Sequence, residues 1–171
     1  ITESVVEHKD FYPLSSSQQN VYADFMKNPL STQYNIPSMY VFPVDTEPST
    51  LTAAVTEVMK AHPASFTHLT MEHDDVEQVW AEYQDFEVPQ SEMSEEEFAQ
   101  YRSAFVRPFN LLRDLLFRFG VVKTEKAVYL LCDFHHIIYD GTSANIFSGQ
   151  LKSVLEGGKV QEESLNIFFA V

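Results

Sequence analysis

The segment at residues 127–134 is the feature that most constrains the fold of this 171-residue chain. Leu130 and Leu131 are consecutive apolar residues in a predicted strand, so both faces of that strand must be covered. Residues 115–123 form a second apolar segment just before it, and the polar residues 124–126 between them predict a hairpin. A strand buried on both faces lies inside a sheet, and that sheet needs helices packed on it.

Helical patterns surround this hairpin. Four segments combine helical spacing of apolar residues with a start signal, at Ser15, Ser49, Ser94 and Thr142 or Ser143. Short strands are predicted at residues 39–42, 66–71 and 76–80. Because hairpins alternate with helices, the sequence predicts an α/β fold of the α+β sandwich type, with a mixed, largely antiparallel sheet flanked by helices. No internal linker divides residues 1–171, whose length suits one domain.

Composition excludes several classes of function. The chain has 25 acidic and 11 basic residues and a formal net charge of −14, which disfavours binding to nucleic acid or to an anionic membrane surface. No apolar run approaches the roughly 18 residues of a membrane span. The single cysteine, Cys132, cannot form an internal disulfide, and a reducing, cytoplasmic location fits that composition.

Residues 135–141, which read HHIIYDG, carry the chemistry. Histidine can exchange a proton near neutral pH, and the end of a strand is a usual place for such a group. Adjacent side chains on extended backbone point to opposite faces, so we expect one of His135 and His136 to face a cleft and the other to pack inward. The same geometry disfavours a metal site built from both rings. His68 and His73 are interpreted as exposed hairpin residues, and no metal is predicted.

Four segments of the chain together resemble one enzyme family. Residues 135–141 resemble the HHxxxDG motif of the condensation domains of nonribosomal peptide synthetases, members of the chloramphenicol acetyltransferase-like superfamily. The other segments resemble further motifs of that family in the same order, and they are YPLSSSQQNVY at 12–22, YNIP at 34–37, and RPFNL at 107–111 with LLFR at 115–118.

This resemblance implies amide-forming acyl transfer. An upstream peptidyl carrier protein would present an aminoacyl or peptidyl thioester on its phosphopantetheine arm, and a downstream carrier would present the acceptor amine. No cofactor would be bound directly. His136 is the catalytic candidate that the resemblance implies, while His135, Asp140 and Gly141 would shape the loop. Arg118, or an arginine from outside this chain, would pair with Asp140.

The resemblance covers only the first half of such a domain. It implies that residues 1–171 form an N-terminal subdomain with a chloramphenicol acetyltransferase-like half-domain fold, inactive without the C-terminal subdomain. Further partners would be the adenylation domain of the same synthetase and the missing subdomain itself.

Some positions depart from the family pattern. Asn20 stands where a basic residue is usual, and Phe66 stands where relatives carry an arginine that helps hold the active-site aspartate. Residues 166–171 match the family only loosely. A non-catalytic module that docks carrier proteins therefore stays open, as does an epimerisation domain or a coenzyme A-dependent acyltransferase. The two histidines disfavour a heterocyclisation domain.

Overall fold

The computed structural model describes residues 11–79, 83–139, 141–157 and 166–169. Its helices are α1 (Ser16–Lys27), α2 (Pro48–Lys60), α3 (Glu95–Phe105) and α4 (Gly141–Glu156), with a 3-10 turn at Pro63–Phe66. Its strands are β1 (Phe11–Pro13), β2 (Asn35–Pro43), β3 (His68–Thr70), β4 (Glu77–Val79), β5 (Gln90–Glu92), β6 (Phe117–Lys123), β7 (Ala127–His135) and β8 (Asn166–Phe169).

Two sheets organise these strands. The larger sheet has the order β5-β6-β7-β2-β8, in which β5 runs parallel to β6 and the other neighbours are antiparallel. The smaller sheet has the antiparallel order β1-β4-β3. This arrangement confirms the predicted mixed, largely antiparallel sheet with helices packed on it. The predicted hairpin joins β6 to β7, and β7 lies in the middle of the large sheet.

Both faces of β7 are covered, as the sequence predicted. On one face Phe134 and its neighbours pack against α2 and α4, through side chains such as Val55 and Phe147. On the other face Leu131 packs against α3 through Phe98 and Phe105. Eight of the nine residues of β7 are buried. The functional loop therefore begins at the end of a strand that packing holds on both sides.

The helix starts follow local sequence signals with one exception. Ser15 and Ser94 form complete capping boxes with Gln18 and Glu97, as predicted. The predicted cap at Ser49 is wrong: α2 begins at Pro48, and its N-cap Glu47 makes no side-chain cap hydrogen bond. Proline suits the first helical position because its missing N–H would have no partner inside the helix there.

Other boundaries shift by small amounts. The helix α4 begins at Gly141, slightly before the predicted start, and ends at Glu156. Phe66 lies in the 3-10 turn rather than in a strand, and the end of the predicted hairpin at Trp80 lies outside the described residues. The strand β8 was not predicted. Within the described parts of the chain, no helix is both long and apolar enough to cross a membrane.

Candidate active site

The two adjacent histidines point in opposite directions. His135 is the last residue of β7 and only 3% exposed, whereas His136 is exposed in the turn that follows. The alternation of side chains along the strand produces this difference, and it confirms the prediction that one ring packs inward. Of the two, His136 is therefore the one that a substrate can reach.

Hydrogen bonds fix the backbone of residues 135–139, which we call the histidine loop. The N–H groups of His135 and His136 donate to the carbonyl oxygens of Leu116 (2.9 Å) and Tyr34 (2.8 Å), on segments flanking the strand. The N–H of Ile137 donates to Nδ1 of His135 at 3.1 Å. Gln18 of α1 donates from its side chain to the carbonyl of Ile137 at 2.9 Å. The loop is thus held from several elements at once.

The His135 ring is a structural part of this loop. Its Nδ1 accepts from Ile137, so the neutral ring carries its proton on Nε2. Burial, together with a smaller effect of the neighbouring His136, lowers the pKa of His135 from 6.5 to about 4. The ring also meets Phe109 edge to face, with centroids 5.9 Å apart. His135 therefore stays neutral at pH 7 and works as a fixed hydrogen-bond acceptor.

An ion pair lies beside His135 on the same face of β7. Asp133 is fully buried, and its Oδ2 accepts from Arg118 Nη1 at 3.3 Å and from Asn35 Nδ2 at 2.8 Å. Arg118 also donates to the carbonyl of Arg107 at 2.7 Å and lies 3.7 Å over the ring of Phe109. These contacts join β2, β6 and β7 to the segment at residues 107–109.

The structure therefore gives Arg118 a partner that sequence reasoning missed. Arg118 had been predicted to pair with Asp140, which lies outside the described residues, so the partner of Asp140 stays a prediction. A signal for the observed pair was present in the sequence. Asp133 is a charged residue inside an otherwise apolar strand, and a buried charge requires a partner.

Desolvation is stronger than ion pairing at Asp133. Burial raises the pKa of Asp133 from 3.8 to about 6, although Asn35 and Arg118 both favour the carboxylate. Burial likewise lowers the pKa of Arg118. One carboxylate oxygen, Oδ1, is buried and has no hydrogen-bond partner among the residues that the structure describes. The pair thus makes several polar contacts, but removing its charges from water costs free energy, as is usual for buried ion pairs.

A cleft of about 430 Å³ opens beside His136. Its walls come from the start of α1, from β4, from the histidine loop and from α4, and its polar lining residues are Ser15, Ser17, Gln18, Thr67, Gln78 and Ser143. Tyr34 lies near the other side of His136, with ring centroids 6.3 Å apart. The imidazole therefore lies at a cleft with several hydrogen-bonding groups, where it could accept a proton from a bound molecule.

Comparison with known families agrees with this geometry. The family model for the condensation domain matches residues 8–167. The chain belongs to the condensation-domain family. This assignment confirms the resemblance to the domains of nonribosomal peptide synthetases that the sequence motifs indicated.

The individual relatives are much longer proteins than this chain. It is 30% identical to surfactin synthase subunit 1 of Bacillus subtilis (strain 168) over 156 residues, which covers 90% of this chain and 4% of that protein. It is 32% identical to bacitracin synthase 1 of Bacillus licheniformis over 152 residues, or 88% of this chain and 3% of that protein. The alignments therefore span a small part of each relative.

Solved structures show the same fold. The starter condensation domain of rhizomide synthetase matches with a TM-score of 0.74 at 21% identity, covering 88% of this chain and 39% of that one. The first condensation domain of the CDA synthetase matches with a TM-score of 0.70 at 18% identity, covering 92% of this chain and 42% of that one. The chain thus covers only part of a condensation domain.

Phe66 stands at the position where the sequence resemblance implies an arginine. Phe66 is only 1% exposed and packs among Tyr83, Phe86 and Phe117, with ring centroids between 5.2 and 5.7 Å away. An apolar pocket of this kind would not accept a charged guanidinium without cost. Phe66 is therefore a core residue, and position 66 supplies no cation to the site.

The remaining histidines of the hairpin are peripheral, as predicted. His68 and His73 are exposed, and His73 Nδ1 lies 2.6 Å from Glu77 Oε1. Among the residues that the structure describes, no group of three or more histidine, cysteine or carboxylate side chains could hold a metal ion. Gly141 is the first residue of α4. The described part of the site consists of the histidine loop, the cleft and the Asp133–Arg118 pair.

Proposed function

We propose that this chain is the histidine-bearing part of a condensation domain that forms peptide bonds in nonribosomal peptide synthesis. The reaction is transfer of an aminoacyl or peptidyl group from a thioester on an upstream carrier protein to the amine of an amino acid on a downstream carrier. The observation that carries this proposal is His136, exposed at a polar cleft in a loop whose backbone is fixed.

His136 has two possible roles in this reaction. An acceptor that arrives as an ammonium must lose a proton before it attacks, and a neutral imidazole within hydrogen-bond reach can accept that proton or orient the amine. The amide bond forms as the thioester C–S bond breaks and the thiol of the upstream arm leaves. Attack also places negative charge on the thioester oxygen. The backbone N–H of Gly141 is a candidate donor to that oxygen, because the first N–H groups of a helix have no partner inside the helix. Asp140 is proposed to shape the turn between these groups.

The substrates in this proposal arrive on other proteins. Phosphopantetheine arms of the two carriers would reach His136, and the domain would need no cofactor of its own. The remainder of the domain would supply the facing wall of the cleft, and an adenylation domain of the same synthetase would load the carrier. The support for these partners is the membership of the family and the relatives' names.

Replacement of His136 tests the proposal most directly. In the complete condensation domain, His136→Ala is expected to lower the rate of amide formation by about 10²–10⁴-fold, the usual contribution of a general base. The assay uses two loaded carrier proteins and follows the peptidyl product by mass spectrometry. His68→Ala is the matched control, because it removes an exposed histidine of β3 whose side chain does not line the described cleft.

Two results would contradict the proposal. Near-normal condensation by the His136→Ala domain would remove this residue from the mechanism. If the unaltered domain bound carriers tightly but formed no amide, it would be a non-catalytic docking module. Phe66, at the position where the resemblance implies an arginine, favours that alternative.

A further inference from the structure

The side chain of Gln18 connects three parts of the molecule through one amide. Its Oε1 accepts from the backbone N–H of Ser15 at 2.9 Å and so completes the capping box of α1. Its Nε2 donates to the carbonyl oxygen of Ile137 in the histidine loop at 2.9 Å. The amide also forms a reciprocal pair with the amide of Gln78 in β4, at 3.2 Å in each direction. Both polar atoms of Gln18 are therefore engaged.

Gln78 extends this connection to the small sheet. Its Nε2 donates to the carbonyl of Pro13 at the end of β1, as well as to Gln18. The contact between Gln18 and Ile137 joins residues 119 positions apart in the chain. Helix α1, the small sheet and the histidine loop thus meet at a single half-buried amide on the wall of the cleft that His136 lines.

The contact falls at a sensitive place in the loop. Ile137 follows His136 directly, and its N–H is already held by Nδ1 of His135. Gln18 holds its carbonyl group. With both ends of Ile137 fixed, the backbone that carries His136 has little freedom to rotate. Small displacements of a reacting group cost large factors in rate, since a shift of about 1 Å can cost about 10²-fold.

We propose that Gln18 is a positioning residue for His136, which fixes the histidine loop against α1 by its hydrogen bond to the Ile137 carbonyl. This inference rests on the proposed function of His136. It assigns a role in the reaction to a residue of the segment at 12–22, which otherwise reads as a helix start.

The chemistry of the contact provides a variant that separates the two roles of Gln18. Glutamate is equally suited to the third position of a capping box, so Gln18→Glu keeps the acceptor for Ser15. An ionised glutamate has no proton to donate, and it would place a carboxylate oxygen against the Ile137 carbonyl. The helix start therefore stays intact while the contact to the loop is lost.

Because Gln18→Glu also adds a negative charge, two further variants separate the effect of that charge from the effect of the lost hydrogen bond. Gln18→Met is uncharged and of similar length, but it loses both the cap and the contact to Ile137. The two Gln18 variants share the loss of the Nε2 donations, to the Ile137 carbonyl and to Gln78 Oε1, and the Ile138 shift reports the first of these. Gln19→Glu is the matched control for added charge, because Gln19 is the exposed neighbour and its side chain donates within its own segment, to the carbonyl of Leu14 at 3.3 Å.

The experiment measures condensation kinetics with loaded carriers, melting temperature and the amide ¹⁵N shift of Ile138, all in the complete domain. The Ile138 nitrogen belongs to the same peptide group as the Ile137 carbonyl and reports the lost hydrogen bond without any activity assay. We expect both Gln18 variants to lower kcat by about 10–100-fold with KM unchanged. Gln18→Glu should keep the melting temperature, and both variants should shift Ile138 whereas Gln19→Glu does not.

Other outcomes overturn the inference. An unchanged kcat in either Gln18 variant, or a raised KM with normal kcat, would show that the contact does not position His136. An unmoved Ile138 resonance would show that the hydrogen bond is absent in solution. His136→Ala is measured alongside: if it retains activity, the proposed function fails, and if it loses activity while the Gln18 variants do not, only the present inference fails.

Discussion

The two faces of β7 bury their side chains with opposite chemistry. On one face Phe134 stacks on Tyr139 with ring centroids 3.9 Å apart and meets Phe119 and Phe147 edge to face. On the other face, one residue to either side, Asp133 and His135 bury a carboxyl group and an imidazole against polar partners. The strand that carries both faces continues into the histidine loop.

The difference between the faces separates two roles, because aromatic contacts and polar contacts contribute differently to stability and to the geometry of the loop. Aromatic packing gains free energy from area removed from water and tolerates small shifts of the rings. Buried polar groups gain little net free energy, but leaving one of them without its partner is expensive. The aromatic face should therefore contribute most of the stability near the loop, whereas the polar face restricts the loop to one geometry. Each face can be tested by itself.

Phe134→Ala should have the largest effect on stability. Removing this ring leaves a cavity among Tyr139, Phe119 and Phe147, and the free energy of unfolding should fall by about 4 kcal/mol. Denaturant unfolding of the complete domain measures the change. Because no charge is involved, the loss should be the same at pH 5 and pH 7.5. A strongly pH-dependent loss would show that the two faces are not independent.

Arg118→Met should destabilise somewhat less at neutral pH and should depend on pH. It leaves the fully buried Asp133 carboxylate without its cation, and the free energy of unfolding should fall by about 3 kcal/mol. This value is at the low end for a broken buried pair, because 13% of the Arg118 side chain is exposed. At pH 5 the carboxyl group can be protonated in the folded state, since its pKa is already raised to about 6. The loss of stability should therefore shrink as the pH falls.

Asp133→Asn is the matched control for that variant. It should cost less than Arg118→Met, because Arg118 keeps the carbonyl oxygens of Arg107 and Pro108 and the ring of Phe109. Equal losses for the two variants, unchanged between pH 5 and pH 7.5, would mean that charge burial does not control this face.

Much of the scaffold on both faces could be predicted from local sequence. The capping boxes at Ser15 and Ser94 and the hairpin of β6 and β7 depend on residues close together in the chain, and the structure contains them. Side-chain alternation along β7 predicted that one of the two adjacent histidines would be exposed, and the family resemblance singled out His136. The start of α2 was misplaced because the local signal of Pro48, which suits the first helical position, was passed over in favour of Ser49.

The contacts between distant segments could not be predicted in this way. The strand β8 exists through its pairing with β2, more than 100 residues earlier in the sequence, and the contact of Gln18 with Ile137 has no local pattern. The Asp133–Arg118 pair is an intermediate case. The hairpin register places these residues directly opposite each other, so a predicted register together with the rule that buried charges are paired would have found it.

The two polar groups on one face of β7 should have opposite effects on stability as the pH changes. The folded-state pKa of Asp133 is raised from 3.8 to about 6 by burial, with Arg118 and Arg107 acting in the other direction. Its contribution to stability is therefore present at low pH and is lost as the pH rises from about 4 to 6. The folded-state pKa of His135 is lowered from 6.5 to about 4. Its contribution is present above 6.5 and is lost as the pH falls towards 4.

Between pH 4.5 and 6 these two slopes, each about 1 kcal/mol per pH unit, should nearly cancel in the unaltered domain. Asp133→Asn removes one slope, so the free energy of unfolding of this variant, relative to the unaltered domain, should fall as the pH is lowered. His135→Asn keeps an acceptor for the Ile137 N–H and removes the other slope, so its relative stability should rise as the pH is lowered. Comparing each variant with the unaltered domain cancels the titration of the other carboxylates. If both differences were flat with pH, neither group would have a shifted pKa, and the polar face of β7 would hold the loop by shape alone.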